Sequence, residues 1–141
     1  MRECFRDDTE IEALVRAFEK CEIHPAEFKH YQHLAVALWY VTHLPFDEAG
    51  SLMRTGIQKL AAAYNKTGYH ETITLFWLAM VRSVFARAAN DESVAAIANR
   101  LIEDCKNKEL IYEYYSRDLL NSPAAKHEWV EPDLKPLPSH A

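Results

Sequence analysis

Glycine is scarce in this chain, three residues in 141. No Asn-Gly or Asp-Gly pair offers a hairpin turn, and no stretch sustains apolar–polar alternation, which excludes an ordinary β-sheet protein. Cysteine is equally sparse: Cys4, Cys21 and Cys105 are odd in number, widely spaced and without a C-x-x-C pair. They exclude a disulfide framework and read as reduced thiols of a cytoplasmic protein. Long hydrophobic runs are missing too. The longest unbroken one, Leu34 to Val41, falls far short of the ~20 residues of a membrane span, so no membrane partner is expected. The start, Met1 to Asp8, carries too many charges for a signal peptide. Basic clusters are absent and the net charge is -5, which argues against nucleic acid as a partner.

What remains is an ordinary globular composition, 49% hydrophobic and 26% charged, of a length that suits one domain with a real core. Helical period dominates. A first helix is expected from Asp8 to about Cys21, with Ile11, Leu14, Val15 and Phe18 on its core side. Pro25 suits a first helical position and opens a second helix to about His43. Pro45 ends that helix, and Asp47 is the expected cap of a third, which carries Leu52, Met53, Ile57, Leu60 and Tyr64. Thr67 is the candidate cap of a fourth, Tyr69 to about Ala89. This helix is apolar nearly all round and therefore belongs in the middle of a bundle. Asn90 or Asp91 would cap a fifth helix, and a sixth covers Lys108 to Leu120. Pro123, Pro132, Pro136 and Pro138 gather near the C-terminus. The expected organisation is an all-α, up-and-down helical bundle over residues 1–122, of four core and one or two flanking helices. Residues 123–141 form an extended strap packed on it through Trp129, Val130, Leu134 and Leu137.

Short loops make successive helices antiparallel neighbours, so helices two, four and six begin at one end. At 1.5 Å rise per residue, His30 lies about 8 Å and His70 about 2 Å from those starts. His30 and His33 are three apart and share a face. Glu27 completes Glu-x-x-His, a spacing that bundle metal sites use. His30, His33, His70 and Glu27 are therefore the candidate ligands of one divalent transition metal, zinc, iron or manganese. Glu71 is the candidate catalytic base, although it sits about 100° around the helix from His70. Tyr69, Thr74, Trp77, Trp39 and Tyr115 are candidate ligand-binding residues. The alternatives stand beside these assignments: a metal-free histidine network, threonines bonded back to carbonyls, and tryptophans in the core. His43 faces away from His30, and His24 and His140 are expected to be exposed.

Phe28-x-His30-x-x-His33-Leu34, Gly68-Tyr69-His70-Glu71-Thr72-x-Thr74-x-Phe76-Trp77 and Glu131-Pro132-Asp133-Leu134-x-Pro136-Leu137 together span most of the chain from the second helix onward. On these pieces the chain resembles a group of small bacterial helical proteins. The resemblance implies that the histidines act together and gives no residue a role. The function to which the residues point is a small-molecule-binding bundle with a histidine-lined pocket, of metal-dependent hydrolase or oxygenase type if a metal is held. The alternative is a metal-free protein-interaction or homodimerisation module.

Overall fold

Helix boundaries in this chain are set by small polar caps and, where glycine would be usual, by two left-handed residues. The structure, a computed structural model, describes residues 4–138. Helix α1 (Asp8–Glu19) starts where the Asp7 carboxylate accepts from the amide of Glu10 at 3.1 Å. It ends with Cys21 at φ 57°, the Glu22 amide donating to the Ala17 carbonyl at 2.8 Å and the Cys21 amide to Phe18 at 3.2 Å. This paired closure normally uses glycine at the left-handed position. Helix α3 (Phe46–Ala63) closes the same way through Asn65 at φ 56°, with the Lys66 amide on the Ala61 carbonyl at 2.8 Å. Asparagine tolerates that conformation through its short polar side chain.

The second helix is shorter than its periodicity predicts. Pro25–Glu27 is a separate 3₁₀ turn, and Phe28 then leaves helical backbone (φ -88°, ψ 84°) to stack on Phe18 with ring centroids 5.1 Å apart. Burying that ring interrupts the helix, and α2 (His30–His43) begins two residues later. Helix α4 (Glu71–Ala86) is capped by His70, not Thr67. Helix α5 (Val94–Cys105) is capped by Ser93, not Asn90 or Asp91, and the Asp8 carboxylate also accepts from the amides of Val94 and Ala95 at 3.3 and 2.8 Å. Asp47 lies in the first turn of α3, behind Pro45 at the cap position. The expected sixth helix splits into a 3₁₀ segment, Lys108–Glu113, and α6 (Arg117–Leu120). Ser116 between them is a second N-cap, accepting from the Leu119 amide at 3.2 Å. A last short helix, α7 (Pro123–His127), precedes the extended strap. No strand occurs among the described residues, and the helices pack as a bundle.

Helix α2 shares the centre that the sequence pattern assigned to α4. Leu34 through Leu38 are all buried in succession, and α2 packs on α1, α3, α4 and α5. One apolar cluster draws on all five of these helices. A second joins Phe76 and Met80 of α4 to Ile111, Tyr114, Tyr115 and Leu120, and the strap residues Trp129, Val130 and Leu137 close over it. Trp77 touches both clusters. Backbone bonds hold the strap: the Thr72 hydroxyl donates to the Glu128 carbonyl at 2.7 Å and accepts from the Val130 amide at 3.3 Å. The Leu134 amide donates to the Tyr114 carbonyl at 2.9 Å. The Leu134 side chain is 56% exposed, so the expectation that it packs on the bundle is corrected.

Gly56 is required by close packing. A Cβ there would collide with the Phe18 ring, which is buried and already stacked on Phe28. Alanine should favour the helix by about 1 kcal/mol, yet the overpacking outweighs it at about 1–3 kcal/mol. Gly56→Ala is therefore expected to lower the urea midpoint; an unchanged or higher midpoint would show that Phe18 has room to move.

Candidate functional site

The starts of α2 and α4 meet at a cavity of about 550 Å³. His30 and His33 enter it from α2, and Gly68, Tyr69 and His70 from the turn before α4. Thr74 and Trp77 of α4 complete that wall. Phe28, Leu34, Met53, Ile57, Ile73 and Leu78 supply apolar surface. Gly68 adopts φ 99°, a conformation closed to most side chains, and this bend delivers His70 to the head of α4.

Each histidine is fixed differently. The Nε2 of His30 donates to the Cys105 carbonyl at 2.9 Å, which leaves the lone pair of the neutral ring on Nδ1. Its ring meets Trp77 edge-on at 4.6 Å. Burial lowers its pKa, the Cys105 bond opposes that, and the Lys108 ammonium adds to the lowering. His33 packs against the Phe28 ring at 4.0 Å. Burial, then His30 and Lys108, bring its pKa down to about 4, against a hydrogen bond to the Phe28 backbone. Both rings are thus neutral at pH 7.

His70 spends both ring nitrogens. Its Nδ1 accepts the Ile73 amide at 3.2 Å as the cap of α4, and its Nε2 donates to the Leu120 carbonyl at 2.7 Å. The ring borders the cavity and ties it to the second apolar cluster. It has no nitrogen left for an ion.

The two carboxylates lie elsewhere. Glu27 is exposed on the 3₁₀ turn, because the break at Phe28 destroys the helical Glu-x-x-His register. Glu71 is buried and accepts Arg54 through Nε at 2.9 Å and Nη2 at 2.5 Å, with the Tyr69 hydroxyl at 2.7 Å. Arg54 holds its carboxyl below the usual carboxylate range, aided by Tyr69 and opposed by burial. This clamp fixes Tyr69 at the cavity wall and gives both carboxylate oxygens of Glu71 a partner. Among the described residues no group of three His, Cys, Asp or Glu is arranged to hold a metal.

The expected ligand-binding residues divide. Tyr69, Thr74 and Trp77 line the cavity, although the Thr74 hydroxyl donates to the His70 carbonyl at 3.0 Å. Trp39 does not line it; it packs on the first cluster and against the tilted ring of exposed His43 at 4.5 Å. Tyr115 is fully buried in the second cluster, its hydroxyl donating to the Val130 carbonyl at 2.6 Å. His24 is exposed and caps the 3₁₀ turn, while His140 lies outside the described residues. Among the described residues the strap contributes nothing to the cavity lining. The two charged lining residues, Lys29 and Lys108, were missed, as was most of the apolar wall. The same topology that brings helix six to this end carries Lys108 with it, so the signal for that one was present.

No family model, no curated protein and no solved structure matches this chain.

The neutrality of His33 has a stability consequence. The unfolded chain binds a proton near pH 6.5, whereas the folded ring resists until about pH 4. Between those values the unfolded state holds more protons, so this contribution is complete above pH 6.5 and is lost as pH falls toward 4. Allowing for the ring's partial exposure, it should amount to about 2 kcal/mol. NMR titration of the His33 ring should give a midpoint near 4, and His33→Phe should flatten the pH dependence of unfolding in this window. A midpoint near 6.5 would mean that water reaches the ring freely.

Proposed function

We propose that this chain binds a small, largely apolar organic molecule in the cavity at the head of α2 and α4. His30 and His33 serve there as neutral hydrogen-bonding groups. The observation that carries the reading is the convergence of His30, His33, Tyr69 and Trp77 on one cavity of about 550 Å³. Ligand sites are commonly apolar clefts of about 300–1,000 Å³ with a few converging polar groups. Imidazoles with displaced pKa values in a cleft are a further mark of such sites. A neutral ring is also able to take a proton from a bound molecule. Three free thiols support a reducing, cytoplasmic setting, and no helix among the described residues is long and apolar enough to cross a membrane.

The metal-dependent form of the reading would require His70 to surrender the Ile73 amide and the Leu120 carbonyl. It would also need Glu27 to leave an exposed turn on the far side of Phe28. The metal-free pocket needs neither rearrangement.

The test uses N-phenyl-1-naphthylamine, a neutral dye that brightens in apolar surroundings. It is expected to gain fluorescence with the wild-type protein. Filling the cavity by Ile57→Trp, or by Ala37→Phe if that variant folds better, should abolish the gain while unfolding stays cooperative. Equal brightening with the filled variants would place the dye elsewhere and sink the proposal. Elemental analysis of protein purified without chelator is the companion measurement. Stoichiometric zinc, iron or manganese lost in His30→Ala would overturn the metal-free form.

A further inference from the structure

The charge of the cavity runs against the charge of the protein. The chain has 21 Asp and Glu against 16 Lys and Arg, yet among the described residues no Asp or Glu lines the cavity and two lysines do, Lys29 and Lys108. Both lysines are exposed residues that also border the cavity, which puts them at its opening. Neither makes an ion pair among the described residues. Acids are near the site but withheld from it: Glu71 is neutralised by Arg54, and Glu27 points to solvent on its turn. The Lys108 charge reaches the interior, since it is among the causes that lower both His30 and His33.

Chemistry narrows the anion. Among the described residues no arginine borders the cavity, so the forked donors that grip phosphate are missing there. Most of the wall is hydrocarbon and aromatic: Phe28, Leu34, Met53, Ile57, Trp77 and Leu78. A strongly hydrated polyanion would lose its water here with too few donors in return. A single carboxylate on an apolar body loses little, because its charged end stays at the opening.

Resting on the pocket reading above, we infer that the occupant is a small apolar monocarboxylate, its body against Trp77 and Phe28 and its carboxylate at the mouth between Lys29 and Lys108. A cationic ligand would meet two ammonium groups and no carboxylate. The neutral imidazoles add no charge of their own, so they can donate or accept a hydrogen bond without competing for the anion.

The experiment compares 2-naphthoate with its neutral isostere 2-naphthamide by calorimetry, on the full chain and on the double variant Lys29→Gln/Lys108→Gln. The acid is expected to bind about tenfold tighter than the amide, a difference of about 1.4 kcal/mol, since charge-assisted hydrogen bonds exceed neutral ones. The ratio should fall below about threefold in the double variant and shrink with added salt. Decanoate measured alongside distinguishes an aromatic from an alkyl body, and tighter binding of either acid supports the carboxylate assignment. An amide that binds as well as the acid overturns this inference while leaving the pocket standing. So does an acid preference that survives loss of both lysines. Failure of both compounds together with N-phenyl-1-naphthylamine overturns the pocket and the inference alike.

Discussion

The hydrogen bonds of His70 join three parts of the molecule that would otherwise have no common reference. An α-helix begins with amides that have no partner within it, and α4 carries few polar side chains to meet them. His70 supplies one acceptor through Nδ1. The opposite nitrogen reaches fifty residues along the chain to the Leu120 carbonyl, where α6 ends. Its ring plane borders the cavity. Helix start, C-terminal cluster and cavity wall are thereby set by one side chain whose orientation is fixed at both ends.

Two neighbouring contacts extend that constraint. Buried Glu71, the first residue of α4, draws half-buried Arg54 of α3 and the Tyr69 hydroxyl into one hydrogen-bonded group. A carboxylate at a helix start is favoured by the aligned peptide dipoles as well as by its partners. Thr72 then uses its hydroxyl as both donor and acceptor to stitch the strap to the same helix. Residues 69–74 thus spend nearly all of their polar atoms on architecture. The groups left for chemistry at the cavity come from α2 and from the two lysines.

Much of this was legible in the sequence. The apolar period of each long helix is strong, and the parity of short loops fixes which helix starts share an end. His30 and His70 could therefore be brought together without coordinates. Partner choice was not legible. Asp47 and Thr67 have the right chemistry for caps, but Pro45 and His70 hold those positions. Glu27 illustrates the same limit: its spacing from His30 suits a helix, and burial of Phe28 on Phe18 breaks the helix between them. Trp39 and Tyr115 look alike to a composition argument, yet one packs beside an exposed histidine and the other is sealed inside a core.

The histidines show why clustering alone does not define chemistry. Metal ligation needs lone pairs aimed at one point and carboxylates free to join them. Here His70 directs its lone pair at an amide, and His30 directs its proton at a carbonyl. His33 is left neutral by burial, with no acid to keep it charged. The nearby carboxylates are either neutralised by arginine or turned to water. Such a site is short of negative charge, and among the described residues the charged side chains that border it are those of Lys29 and Lys108. The proposed occupant, an acidic and largely hydrocarbon molecule, would complement that arrangement at both ends, whereas a cation would have to bring its own counter-charge.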